Sequence, residues 1–370
     1  MKTVISGRFC NFAPDFRIRD HKQMKKAIAV IGLGLSLMAC APKGQGSIEA
    51  HTFSADTVHA YTRPLSQGRT STCWAFASAS LVESEWLAQG KDTLRLSPMY
   101  VVRQKYLNQF EAYYYSQGRE EIRGGSLGHT FLRVWREDGL MPLAAYRGVG
   151  EGIRHYDHRQ LLRELKSLAD EAVDSRDLPR YRAEAVALLD REMGEVPQTF
   201  VYEGKEYTPR SFADSLRLKP DDYVELTSFT HHPFHASFVL EVPDNWEHAP
   251  YYNLPLDELE QVVRGALAKG YTVAWDGDVS EETYSASEGV AEWPQHPVTQ
   301  EMRQQGFEQY VTTDDHMMHI VGTARDEQGA FYYVLKNSYG RYGVYEGMLY
   351  MSEDYFRAKT ISVMLNRKAF

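Results

Sequence analysis

Cys73 is the residue whose type and setting most suggest chemistry. A thiol is a useful nucleophile only as thiolate, and a helix N-terminus favours that form through its free N–H groups and dipole. The spacing predicts a helix from Cys73 to about Gln89, with Ser71 and Thr72 as N-cap candidates and Ala75, Ala79, Val82 and Trp86 along one face. Gln67 lies six residues earlier across Gly68, where its amide can donate to an oxyanion forming beside the sulfur. Far along the chain, His316 opens an apolar run that ends at Gly322, and Leu335-Lys336-Asn337-Ser338-Tyr339-Gly340 closes the next one. A histidine to take the thiol proton and an asparagine to orient it are what a cysteine nucleophile needs.

The elements that must bring these residues together fall into two groups. After the Cys73 helix, Leu96-Ser97-Pro98 predicts a second helix through Tyr106. Residues 112–128, rich in Tyr and Gly, read as a loop. Gly128–Asp138 reads as a short helix stopped by Gly139. Residues 155–195 read as two charged amphipathic helices. Leu256–Lys269 is expected to be helical, and Tyr271–Trp275 a strand. From His316 onward, HIVGTA, AFYYVLKNS, GMLYMS and KTISVMLNR read as antiparallel strands. Helices first and strands last imply α+β.

The 370 residues, 43% hydrophobic and 25% charged, supply ample core. The net charge of −9 contains no basic block, which argues against nucleic acid as a partner. The three cysteines, Cys10, Cys40 and Cys73, form neither a disulfide framework nor a CxxC metal site. His231, His232 and His235, separated by Pro233-Phe234, read as structural rather than metal-ligating, and no metal is expected. Asp276-Gly277-Asp278 reads as a strand-end turn near the cleft floor, and Tyr113, Tyr114 and Tyr115 as a packed loop or a substrate-side surface.

Residues 24–40, MKKAIAVIGLGLSLMAC, join a positive start to an 11-residue apolar stretch too short to span a bilayer. Leu37-Met38-Ala39-Cys40 resembles a bacterial lipobox, which makes Cys40 the expected lipidation site and Met24 the expected start of translation. Residues 1–40 are then a signal region and residues 41–52 a tether. The folded part follows from 53 to 370, soluble and held to the cell envelope by its lipid alone.

QGRTSTCWAFASASLVESEWL resembles the nucleophile helix of papain-like cysteine peptidases, DHMMHIVG their histidine strand, and LKNSYG their Asn-Ser-Trp-Gly segment. EVPQTFVYEGKEYTPRSFADSLRLKPDDYVEL and YYNLPLDELEQVVRGALAKGYTVAWDGDV are similar to the bleomycin hydrolase and aminopeptidase C branch, over roughly residues 53–366. The resemblance implies a papain-like two-lobe α+β fold, with a helical lobe, an antiparallel sheet or barrel lobe, and a helical insertion at about 150–235. It implies Cys73 as nucleophile, His316 as general base, Asn337 as orienter and Gln67 as oxyanion donor, with no cofactor. Counting back from Gly322 selects His316 over His319, which becomes a packed sheet histidine on the opposite face. Gly124 and Gly125 are implied to offer backbone groups to substrate, with Trp74 and Tyr339 beside them. Peptides are the expected substrates, and the branch's six-subunit ring is an oligomeric state the resemblance admits.

The sequence departs from that pattern in four places. Thr70, Ser71 and Thr72 precede the nucleophile in place of Cys-Gly-Ser/Ala, and Tyr339 stands in place of Trp. The branch's cleft-filling C-terminal arm is expected to be short or missing, because the sequence stops at Phe370. That leaves aminopeptidase and endopeptidase action both open. The lipobox also differs from the branch's cytosolic habit. Two further readings stand beside hydrolysis: acyl transfer by the same residues, and an inactive peptidase fold that serves as a binding lipoprotein.

Overall fold

The computed structural model describes residues 52–370; the expectations for Cys40, Met24 and most of the tether lie outside them. Among the described residues the chain forms helices α1 (Cys73–Ala88), α2 (Pro98–Tyr115), α3 (Gly128–Asp138), α4 (Arg159–Ser175), α5 (Leu178–Met193), α6 (Pro209–Ser215), α7 (Leu256–Ala268), α8 (Gln300–Glu308) and α9 (Glu353–Lys359). The strands are β1 (Ser54–Val58), β2 (Phe200–Tyr202), β3 (Lys205–Tyr207), β4 (Tyr223–Thr227), β5 (Ser237–Val239), β6 (Pro250–Asn253), β7 (Val273–Gly277), β8 (Tyr284–Ser285), β9 (Val290–Ala291), β10 (His316–Arg325), β11 (Phe331–Lys336), β12 (Met348–Ser352) and β13 (Thr360–Asn366). This is the α+β arrangement that the order of elements implied.

One large sheet runs β5-β6-β4-β13-β7-β10-β11-β12-β9-β8, with β1 added beside β10. Its centre, β13-β7-β10-β11, is antiparallel. Strand side chains alternate between faces. Accordingly Ala274, Met317, Ile361 and Met364 join one core with the helices, while Trp275, Met318, Ile320, Val363 and Leu365 join a second core on the other side. Helix α1 lies between the helical lobe and the sheet. Every residue from Cys73 to Glu85 is buried, so the expected one-sided stripe is replaced by burial all round.

Helices α4 and α5 pack on each other and on α2, away from the sheet. Leu161, Leu165, Ala169 and Ala172 form the buried stripe of α4, as the amphipathic pattern required.

Several expectations need correction. Helix α2 continues to Tyr115, so the first part of the supposed loop is helical. Tyr113 turns inward to hydrogen-bond Asp170, while Tyr115 is exposed. Strand β7 starts at Val273 because Tyr271 still completes the end of α7, its N–H reaching the Ala266 carbonyl at 3.0 Å. Asp276-Gly277-Asp278 does close a strand, and it is buried: Asp276 and Gly277 end β7, and Asp278 accepts N–H groups from Ser280 and Thr313. Helix α9, capped by Ser352 on Tyr355 N–H, was not anticipated between the last two strands.

Candidate active site

Cys73 begins α1, and its sulfur receives the backbone N–H of Met317, the second residue of β10. The predicted side-chain cap is absent: the Thr72 hydroxyl instead meets Thr70 Oγ1 at 2.6 Å, and Thr70 Oγ1 donates to the Gln67 carbonyl at 2.8 Å. Those bonds fix the turn between Gln67 and Cys73. Gly68 sits in that turn at φ +64°, and a Cβ there would lie 2.2 Å from the Tyr156 carbonyl oxygen, so only glycine fits.

His316 opens β10, the strand against which α1 packs. Its Nε2 meets Asn337 Oδ1 at 2.9 Å, and its ring stacks on Tyr339 with centroids 5.1 Å apart. Asn337 is itself held: its Oδ1 also accepts Ser338 N–H at 2.7 Å, and its Nδ2 donates to Tyr284 OH at 3.3 Å. Tyr339 thus covers the histidine ring.

Gln67 is tied to the same segment. Its backbone N–H donates to the Ser338 carbonyl at 2.8 Å, and its side-chain oxygen accepts Ser338 Oγ–H at 2.6 Å. Among the described residues nothing accepts from its NH2 group, which stays available as a donor. One short stretch, Asn337-Ser338-Tyr339, therefore orients His316, covers its ring and holds Gln67.

Burial sets the protonation of the pair. It pushes the Cys73 thiol up to about 12, against the Met317 N–H, with Asp276, Asp244 and Asp314 adding to the rise. It pulls His316 down to about 4, against the Asn337 bond. Burial therefore disfavours the charged form of both groups, and the neutral imidazole is the form in which His316 can accept a proton.

His319 has a different setting. It is fully buried, and its Nδ1 meets Ser80 Oγ of α1 at 2.7 Å. Lys336 Nζ donates to Ser80 Oγ at 2.8 Å and to Thr62 Oγ1 at 2.9 Å, and Thr62 hydrogen-bonds Glu83. This buried network pins α1 to β11 directly behind Asn337. Sequence reasoning missed it, since its members are scattered and each has an ordinary context.

Trp74 and the glycine pair are held by each other and by the protein's own packing. Trp74 has no exposed surface to offer a substrate; its Nε1 donates to the Gly124 carbonyl at 3.0 Å and so fastens the glycine turn to α1. A Cβ on Gly124 would lie 2.1 Å from the Thr70 carbonyl oxygen, and one on Gly125 would lie 2.0 Å from the Asp244 carboxylate. The glycines are required by the protein's own packing.

His231, His232 and Glu241 bring one ligand atom each within 4.8 Å of one another; His235 stands apart, near Glu258. The hydrogen bonds oppose a metal there. Gln304 Oε1 accepts Thr230 N–H, so Gln304 Nε2 donates to His231 Nδ1 at 3.0 Å. That leaves the proton on His231 Nε2, where it donates to Glu241 at 3.1 Å instead of offering a lone pair.

The comparisons with known proteins agree with this architecture. The model of the Peptidase C1-like family matches residues 160–370, more than half of the chain. The chain belongs to that family. His316 and Asn337 lie inside the matched residues, while Cys73 and Gln67 precede them. The C1-like fold extends further, since the solved structure of PepW from Lactobacillus rhamnosis HN001 superposes at a TM-score of 0.70, covering 87% of this chain and 83% of that one at 15% identity. A structure from work on the mite allergens Blo t 1 and Der p 1 gives a TM-score of 0.43 at 16% identity, covering 88% and 72% of the two chains. No curated protein matches the sequence. The fold is papain-like, and it is the fold of a C1 peptidase family.

Proposed function

We propose that the chain is a cysteine peptidase in which Cys73, His316, Asn337 and Gln67 act together. The observation that carries this reading is the 2.9 Å contact of His316 Nε2 with Asn337 Oδ1, on a strand whose next residue hydrogen-bonds the Cys73 sulfur. In the reading, the thiol passes its proton to His316 and the sulfur attacks the scissile carbonyl. The Gln67 NH2 group, together with N–H groups at the start of α1, holds the oxyanion. His316 then protonates the leaving amine. Water, deprotonated by His316, splits the thioester, and the proton returns to the sulfur. Among the described residues Cys73 is the sole cysteine. Cys73→Ala should abolish peptide hydrolysis, and iodoacetamide should do the same to the unaltered protein. Undiminished hydrolysis by Cys73→Ala would refute the reading.

The resemblance to the aminopeptidase C and bleomycin hydrolase branch supports a relative of those enzymes with altered specificity. A digest of matched peptides with free and acetylated N-termini separates aminopeptidase from endopeptidase action. For Cys40, the lipobox supports attachment of the mature chain to a bacterial envelope membrane. Cys40→Ala should move the protein from the membrane fraction to the soluble one.

A further inference from the structure

We propose that Asp276 and Asp314 form an anionic specificity pocket beside Cys73, which binds a cationic nitrogen group carried by the peptide substrate. The inference rests on the peptidase reading and deepens it.

Position comes first. Asp276 pairs in register with Met317 of β10 on one side and with Ser362 of β13 on the other. Paired residues on neighbouring strands point to the same face. Met317, Ala274 and Met364 mark that face as the one packed toward α1 and the helical core. Asp276 is therefore one strand away from the residue whose N–H touches the nucleophile sulfur. Asp314 reaches the same place from the segment two residues before His316. The two carboxyl groups are close enough to influence each other electrostatically.

The missing partner comes second. Other acids of this region have cations: Asp278 has Lys359 at 3.6 Å, Asp244 has Arg123 at 3.3 Å, and Glu225 has His129 at 3.2 Å. No basic side chain among the described residues pairs with Asp276 or Asp314. Asp276 is 0% exposed, and its Oδ1 has no hydrogen-bond partner, nor has Oδ2 of Asp314. Its other oxygen has only a 3.4 Å bond from Ser362 Oγ.

A buried carboxyl without a counter-charge is costly, and apolar side chains would fill the place better if filling were all that was needed. Two neighbouring carboxyl groups that keep free oxygens form a site that an ammonium or guanidinium completes. The cation supplies the N–H donors and favours the ionised form of the carboxyl groups. Asp244, whose carboxylate closes over Gly125, adds negative potential from the opposite lobe. A lysine or arginine side chain and the peptide's own α-ammonium both offer this chemistry.

The test uses the full chain and peptides that differ only in lysine against norleucine at each position within two residues of the cut. Each peptide is made with a free and an acetylated N-terminus. The unaltered protein is expected to favour the cationic member on the order of a hundredfold in kcat/KM. Preference for lysine over norleucine in the acetylated peptides assigns the pocket to a side chain; preference for the free over the acetylated N-terminus, whichever residue is present, assigns it to the α-ammonium. In Asp276→Asn and in Asp314→Asn the ratio should fall toward one, and a ratio cancels any general loss of activity. Equal rates on all members, or an unchanged ratio in both variants, would overturn the pocket while leaving the peptidase reading intact. Calorimetric binding of the same peptides to Cys73→Ala reads the preference without any bond being cut, and equal affinities there would overturn the pocket as well.

Discussion

Cys73 and His316 each have their charged form disfavoured by burial, so the proposed reaction depends on passing one proton between them. His316 is held down to about 4, which keeps the imidazole neutral and basic above that pH. The acid limb of kcat/KM should therefore lie near pH 4, with activity lost as the pH falls through it. The Asn337 bond favours the protonated ring. Asn337→Ala should shift the limb to lower pH and cut kcat/KM by roughly ten- to a hundredfold, as read from a pH–rate profile. These residues were legible in the sequence because each stands at the edge of an apolar run inside a recognisable motif. Asp276 and Asp314 were not. Their meeting is a product of strand register, which places β7 beside the segment leading into β10 and leaves no local trace in either stretch.

At the scale of elements, the site depends on how firmly α1 is held against β10 and β11. Lys336, at the end of β11, is buried and drawn down to about 8, opposed by Glu83 of α1. It donates to Ser80 and Thr62, and so ties the helix and the N-terminal segment to the strand that leads into Asn337. Lys336→Met removes the cation that acts most strongly on buried Glu83 and leaves it only Arg95. The expected loss is about 3–5 kcal/mol in urea unfolding, with part of it recovered when Glu83→Gln is added. Helix existence was readable for α1, α3, α4, α5 and α7, where periodicity and stop residues agree. The end of α2 was misread because tyrosines and a following glycine resemble a loop, whereas Tyr113 has a buried partner in Asp170. Helix α9 was missed because seven residues between two strands carry too little periodicity to register.

Across the whole molecule, the large sheet is where sequence reasoning reached furthest and then stopped. The late strands and their antiparallel character were evident. Their order was not: β13, last in the chain, inserts between β4 and β7, and no local pattern encodes that choice. The order matters because it brings Ser362 beside Asp276 and builds the acidic pocket into the centre of the sheet. Such a pocket has a global cost. Burial raises the Asp276 carboxyl well above its usual range, so its folded pKa exceeds its unfolded one. Stability is then complete below the unfolded value and is lost as pH rises toward the folded one. Asp276→Asn should accordingly stabilise the free protein at pH 8, by about 1–4 kcal/mol, and by less at pH 5. Thermal melts at the two pH values check this; a variant less stable than the parent at pH 8 would count against an uncompensated carboxyl pair.

The central claim is that Cys73 is a nucleophile activated by His316. The direct measurement is intact-protein mass spectrometry after exposure to a peptide bearing an electrophilic ketone in place of the scissile bond. The account predicts one adduct, mapped to Cys73, formed quickly at pH 6 and slowed at least a hundredfold or so in His316→Ala. No adduct on Cys73, or equal labelling with and without His316, would contradict it.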